Sequence, residues 1–328
     1  MKKYTGLVDK FRGKRVLVLG DFILDEYIYG ETERISREAP VLILKHTKSD
    51  YVAGGGANPV MNIHDLGAVP VPVSVAGTDR YSDILLDLMK EKGIDISGIV
   101  RSADYSVPVK ARVMAGSVHT VKQQVVRIDR YSDAGINKEL EKHVINNLKR
   151  ILPSVCAVIV SDYGGGVITD GIIKFINGAA KAGAKVIVDS RYALRKYKYI
   201  AAATPNETEA GPAVEIEKYD DKSVEKTIRR LASAMKAKGM IITRGSKGMM
   251  IFEKGKIISI PAHGTDEIVD VSGAGDTVSS VVALSLGCNA PLVDAAKTAN
   301  VAGGVVVMKR GTATITAAEL KRELTNAK

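Results

Sequence analysis

Short runs of Val, Ile and Leu alternate with amphipathic stretches along most of this 328-residue chain. The runs RVLVLGD, VPVSVAG, AVIVSDY, KVIVDS and MIITRG read as strands buried on both faces. The intervening stretches ANPVMNIHDLGA, YSDILLDLMKEKGI, DGIIKFINGAAKAGA and SVEKTIRRLASAMKAKG carry apolar residues at helical spacing. A strand that is apolar throughout needs cover on both faces, which crossover helices supply to parallel strands. The pattern therefore predicts an α/β fold with a doubly wound, mainly parallel sheet. Asn58 is placed to cap the first of these helices, with Pro59 in its first turn and Gly93 closing the second.

Two stretches lack the helical period. Residues 26–53 and about 106–130 carry alternating patterns such as VLILKH, VKARVMAG and KQQVVRID. They predict exposed antiparallel strands forming a small sheet that projects from the core as a lid. An unpaired edge and an apolar face on such a sheet invite a second copy, so a homodimer through the lid is expected. No linker, repeat or low-complexity tract divides the chain, which reads as one domain over residues 1–328 with the lid inserted in two segments.

The motif DVSGAGDT, Asp270 to Thr277, leads directly into the apolar stretch VSSVVALSLG. Gly273, Ala274 and Gly275 leave backbone amides free to close around an anion at a helix N-terminus, where the helix dipole favours negative charge. Asp276 then falls in the first turn, placed to accept a proton from an attacking hydroxyl beside the transferring phosphoryl group. In isolation, the same residues also describe an ordinary acidic first turn. Near the N-terminus, LGDFILD ends a strand with Asp21 and Asp25, and GGGAN brings Gly54, Gly55 and Asn58. Carboxylates at the C-terminal ends of parallel strands suit hydrogen bonds to sugar hydroxyls, although a glycine run before a helix equally fits loop geometry. TPNETEA places Asn206 and Glu209 either around metal-bound phosphate or in a helix cap. The loop in ITRGSKG, with Thr243, Arg244, Gly245 and Gly248, ends a strand and suits phosphate or ribose.

These four pieces, in this order, resemble the ribokinase or PfkB family of carbohydrate kinases from about residue 12 to 318. The resemblance implies that Asp276 is the catalytic base and Gly273 to Gly275 the anion hole. It implies that Asn206 and Glu209 serve the magnesium and phosphate region, while Thr243 to Gly245 and Asn300 line the ATP site. Asp270 and Ser272, with the backbone near Gly311, match a potassium-type monovalent-cation site. Asp21, Gly54, Gly55 and Asn58 would hold the acceptor sugar.

Within that family, GDFILDEYIYGETERISREAP, KQQVVRID, SDYGGGV and GTATIT are similar to the subgroup acting on D-glycero-D-manno-heptose 7-phosphate. That likeness implies phosphorylation of the anomeric hydroxyl and adds Gln124, Asp162 and Arg191 to the acceptor site. Bifunctional members carry an adenylyltransferase half, but no HxGH motif occurs in this sequence. Three positions depart from the subgroup: Arg37 stands for a proline, Gly165 for the lysine of SDYxKG, and DSRY for Asp-Pro-Lys. A changed acceptor is therefore an alternative, whether another sugar, another sugar phosphate or a nucleoside. A non-catalytic nucleotide or sugar-phosphate binder is another.

The net charge of +10 suits nucleic acid or anionic metabolites. The basic residues are spread along the chain, with only modest clusters at Arg191–Lys198 and Lys236–Lys238. This favours ATP and phosphosugars over nucleic acid. Arg34, Arg37, Lys110 and Arg112 of the lid suit a distal phosphate or a solvated strand face. Cys156 and Cys288 lie in different segments without metal-ligand spacing, as expected of a reducing compartment. The first apolar run stops at Gly20, and no stretch approaches a membrane span, so a cytoplasmic location is expected.

Overall fold

The computed structural model describes residues 2–116, 122–131, 135–216, 220–264 and 269–326. Helix α1 (Lys2–Asp9) precedes β1 (Arg15–Gly20), β2 (Phe22–Ile35) and β3 (Leu42–Gly55). Then come α2 (Ala57–Asp65), β4 (Val69–Ala76), α3 (Arg80–Glu91) and β5 (Ile99–Arg101). Strands β6 (Val109–Gly116) and β7 (Gln123–Arg130) lead to α4 (Lys138–Ile151), β8 (Ala157–Asp162), α5 (Asp170–Lys181) and β9 (Val186–Ser190). The short β10 (Ala202–Ala203) and α6 (Glu207–Ala210) precede α7 (Asp221–Met235). Strands β11 (Gly239–Thr243), β12 (Met249–Glu253) and β13 (Lys256–Ile260) are followed by α8 (Ala274–Gly287), α9 (Leu292–Val306) and α10 (Ala317–Asn326).

Six strands form a parallel sheet in the order β10-β9-β8-β1-β4-β5. The reversal of strand order around β1 makes it doubly wound, as the alternating sequence predicts. Val16 to Leu19 are wholly buried, and so are Val158 to Val160 to within 1%. These uninterrupted apolar runs are what helices on both faces require. Strand β11 lies beside β10, with the Lys238 and Thr243 amides donating to Ile200 and Pro205 oxygens at 2.9 and 3.0 Å. The antiparallel set β11-β12-β13 is a separate three-stranded sheet that abuts the β10 edge of the core sheet. Helix α8 is buried along nearly its whole length. A helix apolar on all sides belongs in the centre of a fold, here packed against α9, α2 and strands β8 and β9.

The lid is a four-stranded sheet in the order β3-β2-β6-β7. It is mixed, not antiparallel throughout: β2 runs parallel to β6 and antiparallel to β3. The pairing β2–β3 also starts outside the expected 26–53 boundary, at Phe22 opposite Gly55, so the lid grows out of core strand ends. Asn58 does not cap α2; Gly56 takes that place, because the Asn58 side chain is drawn inward. Gly93, with φ +70°, does close α3.

Candidate active site

Strand β1 ends at Gly20, β8 at Asp162, β9 at Ser190 and β10 at Ala203, all on one edge because the strands are parallel. The loops leaving that edge face the start of α8. Gly273, at φ +80°, is the residue before the helix, and a Cβ there would meet the Asn58 amide nitrogen at 2.6 Å. Glycine at this position therefore allows both the left-handed turn and the close approach of Asn58. Asp276 follows in the first turn with 3% exposure. Asn58 donates to its Oδ2 at 2.9 Å and the Tyr163 hydroxyl to its Oδ1 at 3.0 Å. Burial pushes the Asp276 carboxyl up to about 7, against the opposing pull of these two hydrogen bonds. A carboxylate titrating there is suited to general-base work near neutral pH.

Asp276 forms part of the wall of a cavity of about 590 Å³, roofed by the lid strand β6. Asp25, Gly55, Gly273 and Ser272 share that wall, as do Lys110, Arg112 and Arg191. Arg112 is committed to Asp25 at 2.7 Å, and Asp25 also accepts from Thr312 at 2.9 Å. Arg127 pairs with Asp129 and Arg130 with Glu26, at 2.8 and 3.2 Å. Lys110 and Arg191 differ: among the described residues neither is closed into a salt bridge, although Asp25 attracts Lys110 and Asp189 attracts Arg191. Both lie over the Tyr163 ring, at 5.5 and 5.0 Å from its centre. Burial pushes the Lys110 ammonium below its ordinary value. Two cations in a cavity wall, neither closed into a salt bridge, form a ready seat for an anion.

Other sequence-expected residues fall outside this wall. Asp21 has no exposure; its carboxylate accepts from the backbone amides of Tyr163, Gly165 and Val167, each at 2.9 Å. It shapes the loop that carries Tyr163 and does not reach the cavity. Asp162, 5% exposed, accepts from Ser190 and Tyr197 hydroxyls at 2.8 Å and holds the strand ends together. Gly54 backs Asp25, where a Cβ would lie 2.4 Å from a carboxylate oxygen. Gln124 is exposed on β7 and is not part of the cavity wall. Arg34 and Arg37 are exposed on the lid and likewise absent from it. At Gly165, in place of the subgroup lysine, a Cβ would come within 3.0 Å of Asp21. The loop has closed onto Asp21 at that point.

The residues expected around nucleotide gather at the ends of β10 and β11. Asn206 and Thr243 form a parallel bridge. Asn206 accepts from the Glu209 amide at 2.9 Å while Glu209 accepts from the Asn206 amide at 3.0 Å, a capping box that opens α6. Arg244, 8% exposed, is held by Glu207 and Asp221 at 2.7 Å. Gly245 and Gly248 take positive φ in the turn between β11 and β12, and Asn300 donates to the Pro261 oxygen at 2.8 Å. On the loop before α8, Asp270 accepts from the Ser272 and Gly311 amides at 2.9 and 3.0 Å, so those three positions do converge.

Sequence reasoning missed two residues. Tyr163 is one, and its place directly after a buried strand end was the available signal. Asp189 is the other, at the end of β9 where parallel strands present ligand-facing groups. Its carboxyl stands well above the usual range, first through burial and then through Asp276 and Glu209 nearby. It has no hydrogen-bond donor among the described residues.

Comparison with known proteins identifies the family and the fold. Bifunctional protein HldE of Desulfatibacillum aliphaticivorans is 37% identical over 319 residues, 97% of this chain and 64% of that protein. Bifunctional protein HldE of Geobacter sulfurreducens is 38% identical over 309 residues, 93% of this chain and 61% of its own length. The chain thus spans under two thirds of these relatives. The fold matches phosphofructokinase-2 from Escherichia coli in complex with fructose-6-phosphate, with TM-score 0.77 and 20% identity over 96% of this chain and 99% of that one. It also matches Arabidopsis thaliana ribokinase complexed with ribose and ATP, with TM-score 0.71 and 18% identity over 95% and 99% of the two chains. The family model for pfkB family carbohydrate kinases covers residues 14–319. The chain belongs to the pfkB family of carbohydrate kinases.

Proposed function

We propose that the protein is an ATP-dependent kinase that phosphorylates the anomeric hydroxyl of D-glycero-D-manno-heptose 7-phosphate. The observation that carries this reading is the placement of Asp276 and two cations outside any salt bridge, Lys110 and Arg191, around one cavity. The acceptor hydroxyl meets Asp276, which takes its proton, and the substrate's own phosphate meets Lys110 and Arg191. Asp25 and the backbone at Gly55 hold sugar hydroxyls, and the amides of Gly273 to Gly275 face the charge that develops on the transferring group. ATP lies along Thr243 to Gly245, Gly248 and Asn300. The motif likeness to the heptose phosphate subgroup and the similarity to HldE proteins support the acceptor.

Magnesium fits the residues present. Among the described residues no three His, Cys, Asp or Glu side chains converge on a metal position. Magnesium usually takes one or two carboxylates and completes its shell with water and substrate phosphate. Burial and the nearby Asp276 and Glu209 hold the Asp189 carboxyl toward its neutral form, so a bound cation would favour its ionised one. Asp189 and Glu209, with Asn206 beside them, would hold the ion, which when bound neutralises charge on the phosphates. A potassium requirement is assigned to Asp270, Ser272 and the Gly311 backbone, and potassium titration of turnover tests it.

The lid exposes Ile35, Val41, Leu42, Val125, Val126 and Ile128 at 45–66%. A second copy of this chain is the proposed cover, and sedimentation at monomer mass would remove that reading. The deciding assay is ATP turnover with magnesium on the heptose 7-phosphate against a panel of sugars and sugar phosphates. Formation of the 1,7-bisphosphate is expected. Activity on a different sugar phosphate alone would keep the kinase and assign Gly165 and Arg191 to another acceptor.

A further inference from the structure

Tyr163 joins features that the kinase reading leaves unexplained. Its hydroxyl reaches Asp276, its ring lies under Lys110 and Arg191, and its own amide donates to Asp21. Asp21 spends a wholly buried carboxylate on three amides of the segment 163–167. Burying a carboxylate is costly unless hydrogen bonds repay it, and here the return is a fixed course for that loop. Gly164 and Gly166 hold positive φ in the same turn, so the backbone is tightly specified where Tyr163 leaves the strand.

We propose that Tyr163 is a positioning residue for Asp276: its hydroxyl holds Oδ1 and, with Asn58 on Oδ2, fixes the carboxylate plane toward the cavity. This rests on Asp276 being the base. A carboxylate oxygen has two acceptor sites, so Oδ1 can hold Tyr163 and still receive the acceptor proton. Burial and the Asp276 charge keep the Tyr163 hydroxyl protonated, so it stays a donor through the working pH range. A donor to the ionised form favours that form, so the phenol also keeps Asp276 available as a base at lower pH.

The test is Tyr163→Phe, which removes one oxygen and keeps the ring and its cation contacts. Aspartate carboxyl carbons are labelled with ¹³C, and the Asp276 signal is identified by its loss in Asp276→Asn. Loss of one charge-assisted hydrogen bond is expected to raise the Asp276 titration by roughly one pH unit. The acid limb of kcat/KM is expected to rise by the same amount. Turnover would then fall about tenfold on the acid side and recover most of its value above the limb. An Asp276 titration that does not move in Tyr163→Phe overturns the proposal. So does a loss of turnover equal at every pH, which is the mark of disturbed packing. Turnover surviving Asp276→Asn would remove the base reading alone, and the titration would still decide whether Tyr163 holds the carboxylate.

Discussion

The Asp276 side and the Asn206 side of this molecule both grow from the carboxyl ends of parallel strands, yet they use their side chains differently. Around Asp276, groups from β2, β6, α8 and the loops after β8 and β9 converge on one cavity, and several keep free capacity. Lys110 and Arg191 make no salt bridge among the described residues, and the Asp276 carboxyl is pushed up to about 7. Around Asn206, the polar side chains are already occupied. Asn206 and Glu209 cap one another, Arg244 is clamped by two acids, and Asn300 holds a backbone oxygen. A site that reads one particular acceptor needs free side chains, whereas a site that cradles phosphate and ribose can rely on backbone held in place by satisfied ones.

That contrast can be broken in three ways. Asp276→Asn is expected to lower kcat at least about a hundredfold, the usual scale for a positioned base, with the affinity for ATP little changed. Near-normal turnover would show that the cavity holds the acceptor without performing the chemistry. Lys110→Ala or Arg191→Ala should raise KM for the acceptor by roughly ten- to a hundredfold, the worth of one charge-assisted contact of about 1.5–3 kcal/mol. KM for ATP should stay unchanged, and an equal rise in both constants would erase the division between the two sides. Asn206→Ala should cost about 1 kcal/mol of stability by removing the cap, read as a lowered Tm. Asn206→Asp preserves the cap, so a raised KM for magnesium-ATP in that variant would reveal a direct contact hidden behind the structural one.

Much of the fold was legible because its determinants are local. Short apolar runs such as VLVL and VIVS, alternating with helical periods, mark strands covered on both faces, and DVSGAGDT marks a glycine-rich helix start. The lid was legible as strands, but its strand order was not: the parallel pairing of β2 with β6 joins segments about eighty residues apart. The capping role assigned to Asn58 failed for the same reason. Local sequence places an amide at a helix start, while a buried carboxylate from a distant helix decides where that amide points.

The sequence by itself determined the sheet, the glycine-rich helix start and the presence of Asp276 in its first turn, because propensity and hydrophobic period act over a few residues. Only the tertiary structure decided that Asp21 shapes a loop, that Tyr163 and Asn58 grip the two oxygens of Asp276, and that Lys110 and Arg191 face the cavity together. Those roles depend on burial and on charges brought close by folding, and neither is a property of any single stretch of chain.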